Sequence, residues 1–228
     1  MIKAIVTDIE GTTTSLSFVK NILFPYARDH LAEFVSSHQI QAELQQIIAE
    51  VVKEVGRELT LDEVIEQLIE WSDQDKKITP LKSVQGLLWE DGYRRGAFVR
   101  HLYPDVLPNL HQWHAKNIAL YVYSSGSVYA QKLLFGHTVE GDVTSLFSGY
   151  FDTRIGAKRD LQAYVRIAEQ LQCVPEQLLF LSDIKEELDP AKAAGFKTVW
   201  ICRDSVLNPN AEHVQVASFD EIVLSCEA

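Results

Sequence analysis

The chain is short of positive charge, of cysteine and of long apolar runs, and each shortage excludes something. Its 21 lysines and arginines face 32 acidic residues, a formal net charge of −11, which argues against nucleic acid or an anionic membrane as the main partner. Its three cysteines, Cys173, Cys202 and Cys226, lie far apart without metal-ligand spacing and read as reduced thiols of a cytoplasmic protein. No apolar run approaches membrane-spanning length, and the first strand starts at once, with no signal peptide ahead of it. Internal repeats and low-complexity segments are also lacking. What is present is ordinary for a soluble globular protein: 228 residues, 46% apolar and 23% charged, enough for one large domain or two small ones.

The chain is organised around its first stretch. Ile2, Ala4, Ile5 and Val6 make a short apolar run that predicts a buried strand. It stops at two carboxylates, Asp8 and Glu10, followed by Gly11 and Thr12-Thr13-Thr14. Acids at the carboxyl end of a strand stand where open α/β sheets keep their chemistry. Taken alone, the stretch reads equally as a strand followed by a polar turn.

The pattern then turns helical for some eighty residues. Pro25 opens a helix carrying Leu31, Phe34 and Val35, and Ile40, Leu44, Ile47, Ile48, Val51 and Val52 give a second apolar stripe that Gly56 ends. Thr60 and Glu63 form a capping box ahead of Val64, Ile65, Leu68 and Ile69, and a fourth helix follows Pro80. Four amphipathic helices with no strand between them cannot belong to an alternating sheet, so the expected boundaries are a core of 1–16 and 101–228 and an inserted helical cap of 17–100. Trp89, Tyr93 and Arg94 could line a tunnel in that cap, although aromatic residues there more often serve as bundle core.

After Tyr103-Pro104-Asp105 the alternation returns. Strands are expected at Ile118–Tyr123, around Tyr150-Phe151-Asp152, at Leu178–Leu181, at Thr198–Cys202 and at Val214–Val216, with helices between them. His111 and His114 flank Trp113 on the polar face of one helix. The fold class is therefore α/β, a doubly wound parallel sheet with an inserted helical domain.

Three strands end in chemistry-bearing residues: Asp8 and Glu10, then Ser124 and Ser125, then Asp183. Lys158 stands at the expected start of a helix. In a parallel sheet those strand ends share one edge. Oxygen-donor acids there suit Mg²⁺, while a hydroxyl, helix-start N–H groups and a lysine suit a phosphoryl group. Each residue also has a plainer reading: Asp183 or Ser124 as a helix cap, Lys158 as a solvated lysine, Glu187 as a polar helix position. Glu187 could alternatively brace Lys158 or a metal-bound water.

The set resembles the haloacid dehalogenase superfamily, and within it the enolase-phosphatase family of methionine salvage. Asp8-Ile9-Glu10-Gly11-Thr12-Thr13 is similar to that family's first motif, with Glu10 in place of the usual second Asp. Tyr123-Ser124-Ser125-Gly126-Ser127, Gly156-Ala157-Lys158 and Leu181-Ser182-Asp183-Ile184-Lys185-Glu186-Glu187 match the second, third and fourth. The resemblance implies that Asp8 is a nucleophile forming a phospho-aspartyl intermediate. It implies Mg²⁺ held by Asp8, Glu10 (through its backbone carbonyl) and Asp183, with the Glu10 side chain as general acid and base. Ser124, Ser125 and Lys158 would bind phosphate. The implied substrate is a small phosphorylated diketone, a methylthio-diketopentyl phosphate, turned over by a cytoplasmic monomer that binds neither nucleic acid nor membrane. A sugar- or glycolate-type phosphatase of the same superfamily is the alternative. A dehalogenase uses no Mg²⁺ and would leave Glu10 and Asp183 without a metal. A phospho-accepting receiver domain has similar acids but about half this length and no helical insertion.

Overall fold

A computed structural model describes residues 1–99, 101–203 and 207–224. By internal contact the chain divides into two compact units, Met1–Leu16 with Arg100–Ala228, and Ser17–Val99.

The first unit is a parallel six-stranded sheet: β1 (Ala4–Thr7), β2 (Ala119–Tyr123), β3 (Gly149–Phe151), β4 (Leu178–Ser182), β5 (Lys197–Ile201) and β6 (Val214–Val216). Their order is β3-β2-β1-β4-β5-β6, so β1 is central, with β2 on one side and β4 on the other. All four β1 residues are buried, as its continuous apolar run requires of a strand covered on both faces. On one face Leu110 and Trp113 of one helix (Val106–Ala115) and Phe135 of another (Val128–Gly136) pack with Ile5, Leu120 and Leu179. On the other, Tyr164 and Ile167 of a third (Leu161–Leu171) and Leu188 and Ala191 of a fourth (Lys185–Ala193) pack with Val6 and Phe180. Large side chains buried in this way contribute roughly 1.5–3 kcal/mol each, which fixes the strand register. In that register Thr7 pairs with Val122 on one side and Leu181 on the other. The next residues along β1, β2 and β4 therefore emerge side by side at the carboxyl edge. Cys173 and Cys202 are free thiols, and Cys226 lies outside the described residues.

The second unit is helical. Leu16–Phe18 is a short turn that widens into a π-helical Val19–Leu23 and runs on into the helix Phe24–His38, with Pro25 in its first turn. Ala42–Val55, Leu61–Asp73 and Thr79–Arg94 follow. Gly56 closes Ala42–Val55 in the left-handed conformation, φ 79°, and Thr60 and Glu63 exchange both capping-box bonds at the start of Leu61–Asp73. Leu31, Val35, Leu44, Val51, Leu68 and Val84 form the core. Ile40 departs from expectation: it sits in the turn before Ala42 and is 85% exposed, because an i+4 spacing to Leu44 continues the apolar period past the helix end. Trp89 donates its indole N–H to the Leu23 carbonyl at 2.9 Å and Tyr93 packs edge-on against Phe98, whereas Arg94 reaches out to Glu90. The two aromatics belong to the packing.

Candidate active site

The loop after β1 is wound around one carbonyl. Ile9 O accepts from the backbone N–H groups of Thr12, Thr13 and Thr14 at 3.2, 2.9 and 3.2 Å and from Thr13 Oγ1 at 3.1 Å. Gly11 completes the turn with φ 76° and donates to Thr14 O at 2.7 Å. A side chain there would also collide, since a Cβ would stand 2.1 Å from Asp183 Oδ2. The glycine is thus required by both its backbone and its neighbour. Asp8 leaves β1 buried, and its Oδ1 accepts from the Ile9 N–H at 2.7 Å. Glu10 is half-buried and bridges to Thr14 across the loop.

Lys158 closes on Asp8 from across the sheet edge. Its Nζ is 2.6 Å from Asp8 Oδ1 and 2.6 Å from Glu187 Oε2, with its side chain 9% exposed. The sequence pattern had put Lys158 at a helix start. It lies instead in the turn before Leu161–Leu171, and Asp160 caps that helix by accepting from the Gln162 N–H at 3.0 Å. Two buried tyrosines hold this turn: Tyr123 donates to Gly156 O at 2.9 Å and Tyr164 to Lys158 O at 2.7 Å. Burial pushes both phenols well above their ordinary range. Burial also works against the Lys158 charge, but Asp8 and Glu187 outweigh it and hold the ammonium above its usual value. Glu187 is raised, by burial first and then by Asp8. It accepts from Ser182 Oγ at 3.1 Å as well. Of its two sequence readings the structure realises the contact with Lys158, and the i+4 spacing from Asp183 was the available signal.

Asp183 follows β4. Its N–H donates to Thr12 Oγ1 at 3.0 Å, its carbonyl accepts from Trp200 Nε1 at 2.9 Å, and its Oδ1 is 3.5 Å from Thr12 Oγ1. Burial, and then the Asp8 charge, push its carboxyl up to about 7. Asp8 and Glu187 share the Lys158 ammonium, and Asp183, which makes no ion pair with it, adds a third acid nearby, a local excess of negative charge in a desolvated place. The donors are all oxygen. Among the described residues no three His, Cys, Asp or Glu side chains cluster as a metal cage. A hard cation that takes one or two carboxylates and keeps several waters, as Mg²⁺ does, fits such a set.

Ser124 is buried at the end of β2, two positions beyond the Thr7–Val122 pair, and its Oγ accepts from the Gly126 N–H at 3.2 Å. Ser127, not Ser124, caps the following helix, accepting from Ala130 N–H at 3.2 Å. Ser125 is exposed. The structure thus joins Asp8, Lys158 and Glu187 in one ionic network with Asp183 electrostatically coupled to it, while neither serine hydroxyl is hydrogen-bonded to it. A cavity of about 390 Å³ beside β3, lined by Lys132, Thr144, Ser148 and Tyr150 among others, contains none of these residues.

The family model described as haloacid dehalogenase-like hydrolase matches residues 2–195. The chain belongs to that family. Among curated members, the enolase-phosphatase E1 of Enterobacter sp. (strain 638) is 54% identical over 97% of this chain and 97% of its own length. That of Methylococcus capsulatus is 53% identical over 97% of this chain and 98% of its own. Among solved structures, the UTR4 protein of Saccharomyces cerevisiae superposes with a TM-score of 0.84 at 27% identity, over 97% of this chain and all of that one. A phosphatase of the family from Thermococcus onnurineus, 18% identical over 96% of this chain and 95% of its own, reaches a TM-score of 0.61 and shares the fold. Within this haloacid dehalogenase-like frame the order β3-β2-β1-β4-β5-β6 puts the reversal of strand order between β1 and β4. Asp8 and Asp183 flank that point, where open α/β sheets bind their ligands.

Proposed function

We infer that the protein is a metal-dependent enolase-phosphatase that converts a methylthio-diketopentyl phosphate into the acireductone of methionine salvage and inorganic phosphate. The observation that carries this reading is the ionic network of Asp8, Lys158 and Glu187, with Asp183 coupled to it at the same sheet edge, in a chain whose near-full-length relatives are enolase-phosphatases.

We assign attack on phosphorus to Asp8. Lys158 and the Ile9 N–H both engage Oδ1, which sets the rotation of the carboxylate and presents Oδ2. Attack forms an acyl phosphate on Asp8 and breaks the bond from phosphorus to the enol oxygen. Glu10 protonates that oxygen as it leaves and, once ionised, takes a proton from the water that hydrolyses the acyl phosphate. Lys158 and the hydroxyls of Ser124 and Ser125 hold the phosphoryl oxygens. Asp8, the Glu10 carbonyl and Asp183 would hold Mg²⁺, which supplies charge neutralisation of the phosphoryl group in a site already too negative. Enolisation comes before transfer: a base removes a proton from the carbon bearing the phosphate, and the electron pair moves onto the adjacent carbonyl oxygen. The helical unit is assigned the part of a cap. We further propose that the enzyme acts on its small substrate as a cytoplasmic monomer; Cys173 and Cys202 are free thiols, and no helix among the described residues is long and apolar enough to cross a membrane.

The test is turnover of methylthio-diketopentyl phosphate against a panel of sugar phosphates and phosphoglycolate. The diketone is expected to be preferred by about a hundredfold or more in kcat/KM, with turnover abolished by chelation and restored by Mg²⁺. Equal turnover across the panel would indicate a general phosphatase.

A further inference from the structure

Behind the loop that carries Glu10, one arginine gathers three distant segments. Arg203, just past β5, is 9% exposed at its side chain. Its Nη1 meets Asp105 Oδ2 at 2.7 Å, and its Nη2 and Nε donate to the carbonyl of Thr12 at 2.8 and 3.3 Å. The guanidinium lies 4.2 Å from the centroid of the Tyr103 ring and 5.2 Å from that of Phe219. Asp105 is itself fixed, since the same Oδ2 accepts from the Phe219 N–H at 2.6 Å. The planar fork is therefore held by an acid and two rings; Nη1 also donates to the Ala217 carbonyl at 3.4 Å, while Nη2 and Nε are aimed at the Thr12 carbonyl.

Thr12 is the link. Its carbonyl takes Arg203, while its hydroxyl accepts from the Asp183 N–H at 3.0 Å and stands 3.5 Å from Asp183 Oδ1. Gly11, next to it, packs directly against the Asp183 carboxyl. A shift of the Thr12 peptide would move both the loop that presents Glu10 and the groups that orient Asp183.

We propose that Arg203 is a positioning residue: by clamping Thr12 it sets the separation of Asp183 from Asp8 and Glu10, and so tunes the affinity of the site for a divalent cation. This rests on the functional reading above in assigning those acids to the metal. Loss of groups that orient metal ligands typically weakens binding by about 10- to 100-fold. Lysine at this place keeps the charge but cannot bridge Asp105 and Thr12 with a fork, so it restores the clamp only in part.

The experiment is calorimetric titration of Mg²⁺ into full-length wild type, Arg203→Met and Arg203→Lys, each checked for native circular dichroism. The expected result is about tenfold or greater weakening for Arg203→Met and a smaller loss, about threefold or more, for Arg203→Lys. The same order should appear in the Mg²⁺ concentration needed for half-maximal activity, with kcat at saturating Mg²⁺ changed less. Folded variants that melt at lower temperature yet bind Mg²⁺ within twofold of wild type would overturn the proposal. If Arg203→Met does not fold, Arg203→Lys decides on the same thresholds. A wild type that binds no Mg²⁺ also overturns it. A wild type that binds Mg²⁺ but does not turn over the diketo phosphate refutes the functional reading and leaves the affinity comparison standing.

Discussion

The two units of this protein differ in charge burial: both carry surface ion pairs, Lys185–Asp189 in the α/β unit for example, but the α/β unit also holds buried ones. In the helical unit the ion pairs Arg28–Asp73 and Arg57–Glu63 sit in water, with side chains 38–60% exposed. In the α/β unit Lys158 with Asp8 and Glu187, and Arg203 with Asp105, are 5–13% exposed. Exposed pairs are screened and weakly coupled to folding. Buried ones carry a large desolvation cost, and removing one partner leaves an unpaired charge in a poor medium. The helical unit thus derives its stability from apolar stripes and caps, with its charges on the surface. The α/β unit holds charges where they are expensive, which is where chemistry needs them.

The largest effect that would sharpen this contrast is expected from Lys158→Met. It leaves Asp8 and Glu187 facing each other without their shared cation, so about 3–5 kcal/mol of stability should be lost at neutral pH, together with phosphate release. Denaturant unfolding and turnover on the same sample check both. A variant as stable as wild type would show that the network is not strained.

A smaller effect concerns pH. Asp183 stands near 7 when folded, against an ordinary value of 3.8. Between roughly pH 4 and 7 the folded, metal-free protein therefore holds a proton that the unfolded chain has released. Its contribution to stability is present below that window and lost as the pH rises through it. Melting in chelator should decline across that range, more steeply in wild type than in Asp183→Asn, and Mg²⁺ should bind more weakly below about pH 7 because it competes with the proton. Parallel pH profiles for the two proteins would remove Asp183 from the account. The smallest effect belongs to the helical unit, where Arg28→Ala should leave the melting temperature and turnover essentially unchanged.

The same contrast explains what could be read in advance. The sheet, the insertion and the acids at strand ends were legible because each rests on a contiguous stretch: the apolar run before Asp8, the Thr60–Glu63 box, the stop at Gly56. Ile40 was misplaced because periodicity alone does not mark a helix end. Lys158 was taken for a helix start because the Asp160 cap two residues later competes for the same boundary. The roles of Thr12 and Arg203 carried no local signal, since their partners lie 171 and 191 positions away. Such contacts exist only once the sheet has brought the strand ends together.

The central claim is that Asp8 is the nucleophile of a site that also enolises its substrate. Asp8→Asn is nearly isosteric and removes the proposed attacking oxyanion, while the Glu10 carbonyl and Asp183 would still hold Mg²⁺. With methylthio-diketopentyl phosphate, near-ultraviolet absorbance and phosphate should be followed in one cuvette. The account predicts that the conjugated enol phosphate accumulates while phosphate release falls to background. Phosphate release at the wild-type rate would contradict it.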